Sequence, residues 1–448
     1  MKTHTYQRSI PVEPGYDVFV AGGGPAGCAA AICAARLGAR VLLVEGTGCL
    51  GGMGTSGLVN AFDPMTDGTR NIAAGFIKEV VETMHARGFL GPHVTPAHWN
   101  TEYHWWTPFS AEGLKLVLDE LAVAAGVEVR FFTRLIDTEA DAAAGRVNGA
   151  VIGNVEGLSF VEAKAYIDCT GDAMLAALAG APCREAGRDT PRIMASTLAS
   201  LHAGIDWPNQ KAPAHDDCWM LIEKACADGV LTQCDRHLPG MSRVGRTLGY
   251  LNGGHVFDLD ALRVKDLTNG MMLGRKIARE YLEMYRRYVP GYENMELVCT
   301  ASLMGVRESR RIVGEYELCF DDYMARRQFP DQIAVFNKHV DIHPYDCSYE
   351  EWRRFYNDRN YLPKGTCMGI PYGVLVPKGW KNLWVAGRCV SSDVKVQGSI
   401  RVMPAAAMMG QAAGSAAAQA VERGEAANAL DTTRLVDTLR KNGAYLPE

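Results

Sequence analysis

The chain opens its ordered pattern with a short unbroken apolar run, Asp17-Val18-Phe19-Val20-Ala21, which predicts a buried parallel strand. Glycines 22, 23, 24 and 27 follow at once, and an alanine-rich helix is expected from Cys28 to about Leu37, with Gly38 as its stop. Arg40 to Val44 reads as a second strand ending at Glu45. After Phe109, Leu114, Val117, Leu118, Leu121 and Ala122 fall at helical spacing up to Gly126, and Val127–Arg130 restarts as a strand. Alternating segments from Thr133 to about Ala165, broken at Ala144-Gly145 and Glu156-Gly157, predict a β-meander. A further strand runs from Ala165 to Asp168 into Thr170-Gly171-Asp172. Farther on, Cys218–Gly229 and Asp266–Tyr288 read as helices, and Glu296–Ala301 and Ile312–Tyr316 as strands. Near the end, Asn382–Arg388 is expected to be a last buried strand and turn. A loop with Lys395, Gln397, Gly398, Ser399 and Arg401 follows, then a helix of small residues from Pro404 to about Val421.

The first of these patterns carries chemistry. Gly22-Gly23-Gly24-Pro25-Ala26-Gly27 is a GxGxxG lying between a strand and a helix. Gly22 permits the tight turn, Gly24 lets backbone approach a pyrophosphate, and Gly27 allows close helix–strand packing. The helix N-terminus offers unpaired N–H groups to phosphate oxygens. Glu45, 21 residues beyond Gly24, stands where a carboxylate accepts ribose hydroxyls. Strand, turn, helix, strand and acid in this order specify a dinucleotide site.

Just past that acid, Gly48 to Thr55 reads GCLGGMGT, placing Gly51, Gly52 and Thr55 together. This stretch resembles the second glycine motif of the glutathione-reductase-like FAD proteins. Together with Tyr166–Gly180, Gly305–Tyr316 and Ile370–Val421, it makes the chain similar to the FAD-dependent oxidoreductases of that superfamily. The resemblance implies an α/β fold: a glutathione-reductase-like, FAD-binding Rossmann domain with an inserted α+β substrate domain. It implies FAD as cofactor, held by Gly22, Gly24, Pro25, Ala26, Gly27, Glu45, Gly51, Gly52 and Thr55. Backbone at Val129 is expected against the adenine. Thr170, Gly171, Asp172, Gly387, Arg388, Gly398, Ser399 and Val402 are expected along the rest of the cofactor. Asp172 has two readings, a cofactor contact or a cap on a helix starting at Ala173. The helix at Pro404 is expected to aim its positive end at the flavin pyrimidine ring. One departure stands out: where members carry a histidine after the Gly-Arg turn, this chain reads Ser391-Ser392-Asp393-Val394-Lys395.

At 448 residues the chain exceeds one ordinary core. Three segments are expected: 1–182 and 370–448 forming the FAD-binding domain, and 183–369 a substrate domain between them. A net charge of −5 without a basic block argues against nucleic acid. No run of eighteen apolar residues argues for a membrane span, and the first residues lack the apolar core of a secretory signal, so a cytoplasmic location is expected. Thirteen cysteines without a CxxC pair read as reduced thiols, not as cluster ligands. Cys28 and Cys33, spaced like a redox pair, fall about 140° apart around a helix and read as packing residues.

Residues 182–369 show no second GxGxxG before a helix, so electrons are expected from a small-molecule substrate or a partner and not from a nicotinamide. Arg307, Ser309 and Arg311 share one side of an extended segment, where arginine forks suit a carboxylate; an internal Glu–Arg network is the competing reading. His255 and His343 are candidate bases, and Arg307, Arg388 and Arg401 candidate anion holders. His339, Asp341 and His343 alternate as metal ligands could, but no metal is expected. The leading function is therefore hydride transfer between a small organic, anionic substrate and flavin N5, with an external electron acceptor. Oxygen activation of the monooxygenase or halogenase kind, and an FAD-bearing electron-transfer subunit, are the alternatives. Association of like chains is left open.

Overall fold

The computed structural model of the chain describes residues 3–190, 192–213 and 217–447. Its centre is a seven-stranded sheet. The first strand, Val12–Ala21, lies between Val41–Val44 on one side and the long strand Gly157–Asp168 on the other, all parallel, with Glu128–Arg130 at the edge beyond Val41–Val44. Val18, Phe19, Val20 and Ala21 are each fully buried, which explains why that stretch shows no polar alternation. The long strand changes partner along its length. Residues 157–161 pair antiparallel with Arg146–Asn154, which in turn pairs with Arg134–Asp141, whereas Tyr166–Asp168 pair in parallel with Leu383–Val385. The C-terminal segment thus completes the sheet begun by the N-terminal one.

Two helices cover one face. The leading helix Pro25–Arg36 is buried from Ala26 to Ala34, and the C-terminal helix Met403–Arg423 is buried from Met403 to Ala420. A helix apolar on every side belongs in an interior, and these two pack on each other as closely as backbones allow. A β-carbon on Gly410 would stand 2.1 Å from the Ala26 carbonyl oxygen, and one on Gly414 2.1 Å from that of Ala30. Because 410 meets 26 and 414 meets 30, the helices run parallel. The C-terminal helix begins seven residues before Gly410, so its N-terminus projects roughly 10 Å beyond the start of the leading helix.

The segment from 183 to 371 carries most of the smaller antiparallel sheets, and one further pair joins Ala61–Phe62 to Thr107–Pro108. Four strands, Met241–Arg243, Gly249–Leu251, Ser200–Ala203 and Glu296–Thr300, pair in that order. The helices Cys218–Ala227 and Val264–Tyr288 cover them through Leu198, Ile222, Leu251, Ile277, Tyr281 and Tyr285. From Leu318 onward the apolar residues, among them Ile333, Phe336 and Val340, join the main core around the two central helices.

Three expectations are corrected. The strand placed at 312–316 is Arg310–Ile312, because the chain turns away there to let Gly314 donate its N–H to the Ser391 hydroxyl. The loop placed at 395–401 is a helix, Val394–Ile400, started by the Asp393 carboxylate accepting the Val396 N–H. The thiols are not all free: Cys226 and Cys234 form a disulfide, brought within 5.8 Å between α-carbons by the turn at Gly229. Cys28 and Cys33 are separately buried, and burial pushes the Cys33 thiol up to about 12. Among the described residues no helix is long and apolar enough to cross a membrane.

If the glycine contacts set the spacing of the two helices, Gly410→Val should lower unfolding free energy by about 1–3 kcal/mol in urea titrations. An unchanged midpoint would show that the helices can separate at no cost.

Candidate functional site

The glycine turn is shaped by contacts that no other residue tolerates. Gly22 has φ +96°, and a β-carbon there would stand 2.6 Å from the Cys169 carbonyl oxygen. A β-carbon on Gly27 would overlap the Gly22 carbonyl oxygen, so the helix sits directly on the end of the strand. Gly24 is the opposite case, since nothing lies within 4 Å of its missing side chain. The leading helix begins there with no side-chain cap and with Pro25 in its first turn, so its first amides face open space together with the dipole end. Ala26 is packed against Gly387, whose φ of +94° turns the chain after the last sheet strand.

Glu45 closes the cradle. Its carboxylate is buried and accepts the Gly23 N–H at 2.7 Å and the Thr47 N–H at 2.7 Å, which ties the second strand to the turn. Val129 is the middle residue of the edge strand, paired with Leu43, and the next carbonyl, of Arg130, accepts the Glu45 N–H. The second glycine motif folds over the first: Gly51 donates its N–H to Gly23, and a β-carbon on Gly52 would meet the Gly24 α-carbon at 2.9 Å. The Thr55 hydroxyl donates to the Leu50 carbonyl and so holds this loop. Gly54 reaches Met403, the first residue of the C-terminal helix, whose preceding residue Val402 leaves that helix without a side-chain cap. Two uncapped helix starts, one near Gly24 and one roughly 10 Å farther along, thus stand on the same side of the glycine loops. That fits a diphosphate joined to an extended ring system.

The Thr170-Gly171-Asp172 turn serves this cradle through the protein. Buried Asp168 accepts from the Thr170 N–H and hydroxyl and from the Ala176 N–H; burial raises its pKa against the pull of those donors. Thr170 in turn accepts the Met174 N–H. Asp172 does not cap the short helix Met174–Ala179, whose first amides are met by Thr170 and Asp168; its Oδ1 accepts from Arg388 at 2.6 Å and from Ser309 at 2.6 Å. Arg388 also donates to the carbonyls of Gly171 and Val306, so it clamps three segments and is not a free anion holder. Gly398 and Ser399 face the segment 338–342: a β-carbon on Gly398 would press on Asp341, and the Ser399 hydroxyl donates to the Lys338 carbonyl.

At the projecting end of the C-terminal helix lies a buried polar network. Arg401, immediately before Val402, donates to the Asp341 carboxylate at 3.0 Å. The same carboxylate oxygen stands 3.4 Å from His343 Nε2. His343 Nδ1 lies 2.8 Å from His255 Nε2, and His255 Nδ1 lies 3.0 Å from Asp235. His237 stacks on His255 with ring centres 4.8 Å apart. Burial holds His237 well below its ordinary range, and burial followed by the Arg307 charge does so for His343. Asp341 is held well below the carboxylate range because His343 and Lys338 outweigh its burial. Arg307 is 6% exposed and donates to the Ala195 carbonyl and the Thr197 hydroxyl, but among the described residues it has no carboxylate partner. Burial, then the Arg401 charge, pushes it down to about 9.

Arg401 Nε, His237 Nδ1, Gln397 Oε1 and Glu308 Oε2 are buried here without a hydrogen-bond partner. Such atoms are rare singly, and their concentration marks a place built for something that supplies partners. A surface cleft of about 420 Å³, lined by Cys33, Arg36, Glu79 and Gly443, lies at the other end of the leading helix, away from these groups.

The structure therefore brings Arg307, His255, His343 and Arg401 into one cluster, from positions scattered over the chain. Arg311 is drawn off to Asp189 and the Ser392 carbonyl, and Arg310 to Glu185, as the pairing-network reading expects, whereas Arg307 has no carboxylate among the described residues. The metal-like alternation at 339–343 is corrected: Asp341 is taken by Arg401, while three other nitrogens, from His237, His255 and His343, lie within 4.8 Å of one another. Sequence reading missed His237 and Asp235. Their only local signal is an Asp-x-His at 235–237, which elsewhere is an ordinary turn.

Three comparisons place the chain among known proteins. The model of the family described as FAD dependent oxidoreductase matches residues 17–440. Over 47 residues the chain is 51% identical to a dihydrolipoyl dehydrogenase of Trypanosoma brucei brucei, a stretch that is 10% of each protein. A geranylgeranyl bacteriochlorophyll reductase-like protein of Thermoplasma acidophilum is similar in structure at 14% identity and TM-score 0.46, over 96% of this chain and 83% of that one. The p-nitrophenol 4-monooxygenase of Pseudomonas putida DLL-E4 is similar at 11% identity and TM-score 0.46, over 96% and 89%. At these scores the solved structures carry no argument about chemistry.

The open space at Gly24 and the crowding at Gly27 predict opposite outcomes for the same small change. Gly24→Ala should leave the melting temperature of the apoprotein within about 2 °C yet weaken flavin retention at least tenfold, read by visible absorbance after gel filtration; Gly27→Ala should destabilise the fold itself. Equal retention in Gly24→Ala and wild type would remove the diphosphate from that turn. With the family match spanning nearly its whole length, the chain belongs to the FAD dependent oxidoreductases and is an FAD-dependent enzyme built on an α/β, Rossmann-like fold with additional small antiparallel sheets.

Proposed function

We propose that the chain oxidises a small organic anion bearing a hydroxyl or amine, with hydride passing to flavin N5 and the electrons leaving to an external acceptor. FAD, when bound, supplies the hydride-accepting ring. The observation that carries the reading is Arg307, a buried guanidinium with no carboxylate partner among the described residues, set beside Arg401 at the projecting end of the C-terminal helix. A buried charge left uncompensated is costly, and a substrate carboxylate or phosphate would relieve that cost through a bidentate contact. Arg401 is partly satisfied by Asp341, but its Nε remains free for the same anion.

The histidine cluster lies beside these arginines, joined to Arg401 through the Asp341 carboxylate. His343 and His237 are neutral near pH 7, so the cluster can receive the proton-bearing oxygen or nitrogen of the substrate without adding charge repulsion to the arginines. Asp235 and Asp341 orient His255 and His343, one carboxylate to each ring. The uncapped start at Val402 supports negative charge that develops at the ring it faces.

We further propose that 1–182 with 370–448 form the FAD-binding unit and that 183–369 supply the substrate side. The glutathione-reductase-like plan is proposed for the nucleotide-binding unit alone, on the strength of its parallel strand order and the meander beside it. The middle segment, built on an antiparallel sheet, has its own plan.

Anaerobic titration of the holoenzyme with small hydroxy and amino acids should bleach the flavin without any nicotinamide. Arg307→Met should raise the half-saturating concentration of a carboxylate substrate about 10- to 100-fold, Arg307→Lys less, with a smaller effect on a neutral analogue. Rapid bleaching by NAD(P)H alone, or equal losses for anionic and neutral compounds, would falsify the proposal.

A further inference from the structure

The nitrogens of His255 and His343 that face each other are 2.8 Å apart, and each ring has a carboxylate at its opposite nitrogen. A carboxylate beside each outer nitrogen favours the tautomer that carries its proton there, although neither contact is aligned as a hydrogen bond and His255 Nδ1 is buried without a partner. In that tautomer the two inner nitrogens both present lone pairs, which a cation between them satisfies; in the other, one ring donates to its neighbour at 2.8 Å. His237 stands beside both, its ring centre 4.8 Å from that of His255 and 4.9 Å from that of His343. All three rings are buried.

We propose that His237, His255 and His343 form a binding site for a first-row divalent metal ion of the zinc or ferrous class. Three imidazoles are a set such ions accept, leaving a position for a water or substrate oxygen. Asp235 on His255 and Asp341 on His343 are the outer carboxylates that metal-bound histidines commonly carry, which fix the ring and raise its donor strength. Metal–nitrogen bonds of about 2.0–2.1 Å require the inner nitrogens to open by roughly 0.5 Å. His237 must also turn out of its stack on His255. Its Nδ1 is buried without a partner, so that turn breaks no hydrogen bond at that atom. Binding itself does not depend on the substrate proposed above. Only the use of the ion, to polarise a substrate oxygen held beside Arg307, rests on that reading.

The test is equilibrium dialysis of the FAD-loaded protein against zinc after chelator treatment, with metal counted by elemental analysis and stability read by thermal melting. One equivalent of zinc and a raised melting temperature are expected for the wild type. His237→Gln and His343→Gln, checked for flavin retention, should each hold less than about a tenth of an equivalent. Asp235→Asn, which keeps all three rings, should bind one equivalent about 10- to 100-fold more weakly. The site is overturned if the wild type takes up no stoichiometric zinc, or if both glutamine variants bind as the wild type does. If those variants lose their flavin, an Asp235→Asn affinity equal to wild type overturns it instead. Failure here leaves the arginine pocket standing, because Arg307→Met reports on the substrate anion and not on metal content.

Discussion

Everything in this molecule that can bind FAD depends on how near two parallel helices come to each other. Gly410 and Gly414 let the C-terminal helix rest its backbone on the carbonyls of Ala26 and Ala30, and Gly27 lets the leading helix rest on Gly22. Three layers, strand, helix and helix, are thereby locked with almost no side chain between them. Such contacts tolerate no added carbon, so the relative position of the two helix starts is set by backbone and not by adjustable packing. A cofactor that spans both starts meets a rigid frame, which is what orientation of a reactive ring requires.

The offset of those helices explains the location of the chemistry. The leading helix begins uncapped at the glycine turn, the place proposed for the diphosphate. The C-terminal helix begins roughly 10 Å farther on, and Arg401 immediately precedes it. From Arg401 the polar network runs inward through Asp341, His343 and His255 to Asp235. The cofactor frame and the substrate groups therefore meet at one helix end. The antiparallel middle segment brings His237 and His255 to that end, while the segment after Leu318, packed into the main core, brings Asp341 and His343. The polar cluster is shared between parts of the chain that fold around different cores.

Polar groups in this region divide into two kinds. Asp168, Asp172, Arg388 and Arg311 are fully engaged with the protein and hold loops in place. Arg307, Arg401, Glu308, Gln397 and His237 keep at least one unmet demand in a buried setting. That contrast separates framework from site more clearly than residue type does, since arginine and aspartate occur in both groups. It also explains why Arg388, attractive as an anion holder by sequence, is a clamp.

Local sequence determined the nucleotide half of the protein. The strand, the glycine turn, the helix and Glu45 are contiguous, and each demand, such as a positive φ at Gly22 or an absent side chain at Gly27, leaves a mark at a known spacing. The parallel strand run and the small-residue helix were legible for the same reason: burial on all sides removes polar alternation. Tertiary structure alone decided the rest. Asp172 could cap a helix by sequence, and only the return of the chain at Arg388 gave it a salt bridge instead of that cap. His237, His255 and His343 are 18 and 88 residues apart, with no periodicity linking them, so the cluster exists only once the middle sheet and the segment after it have packed against one helix end. Short-range spacing records what backbone geometry requires; a site gathered across cores leaves no such record, because its distances are set by packing and not by the chain.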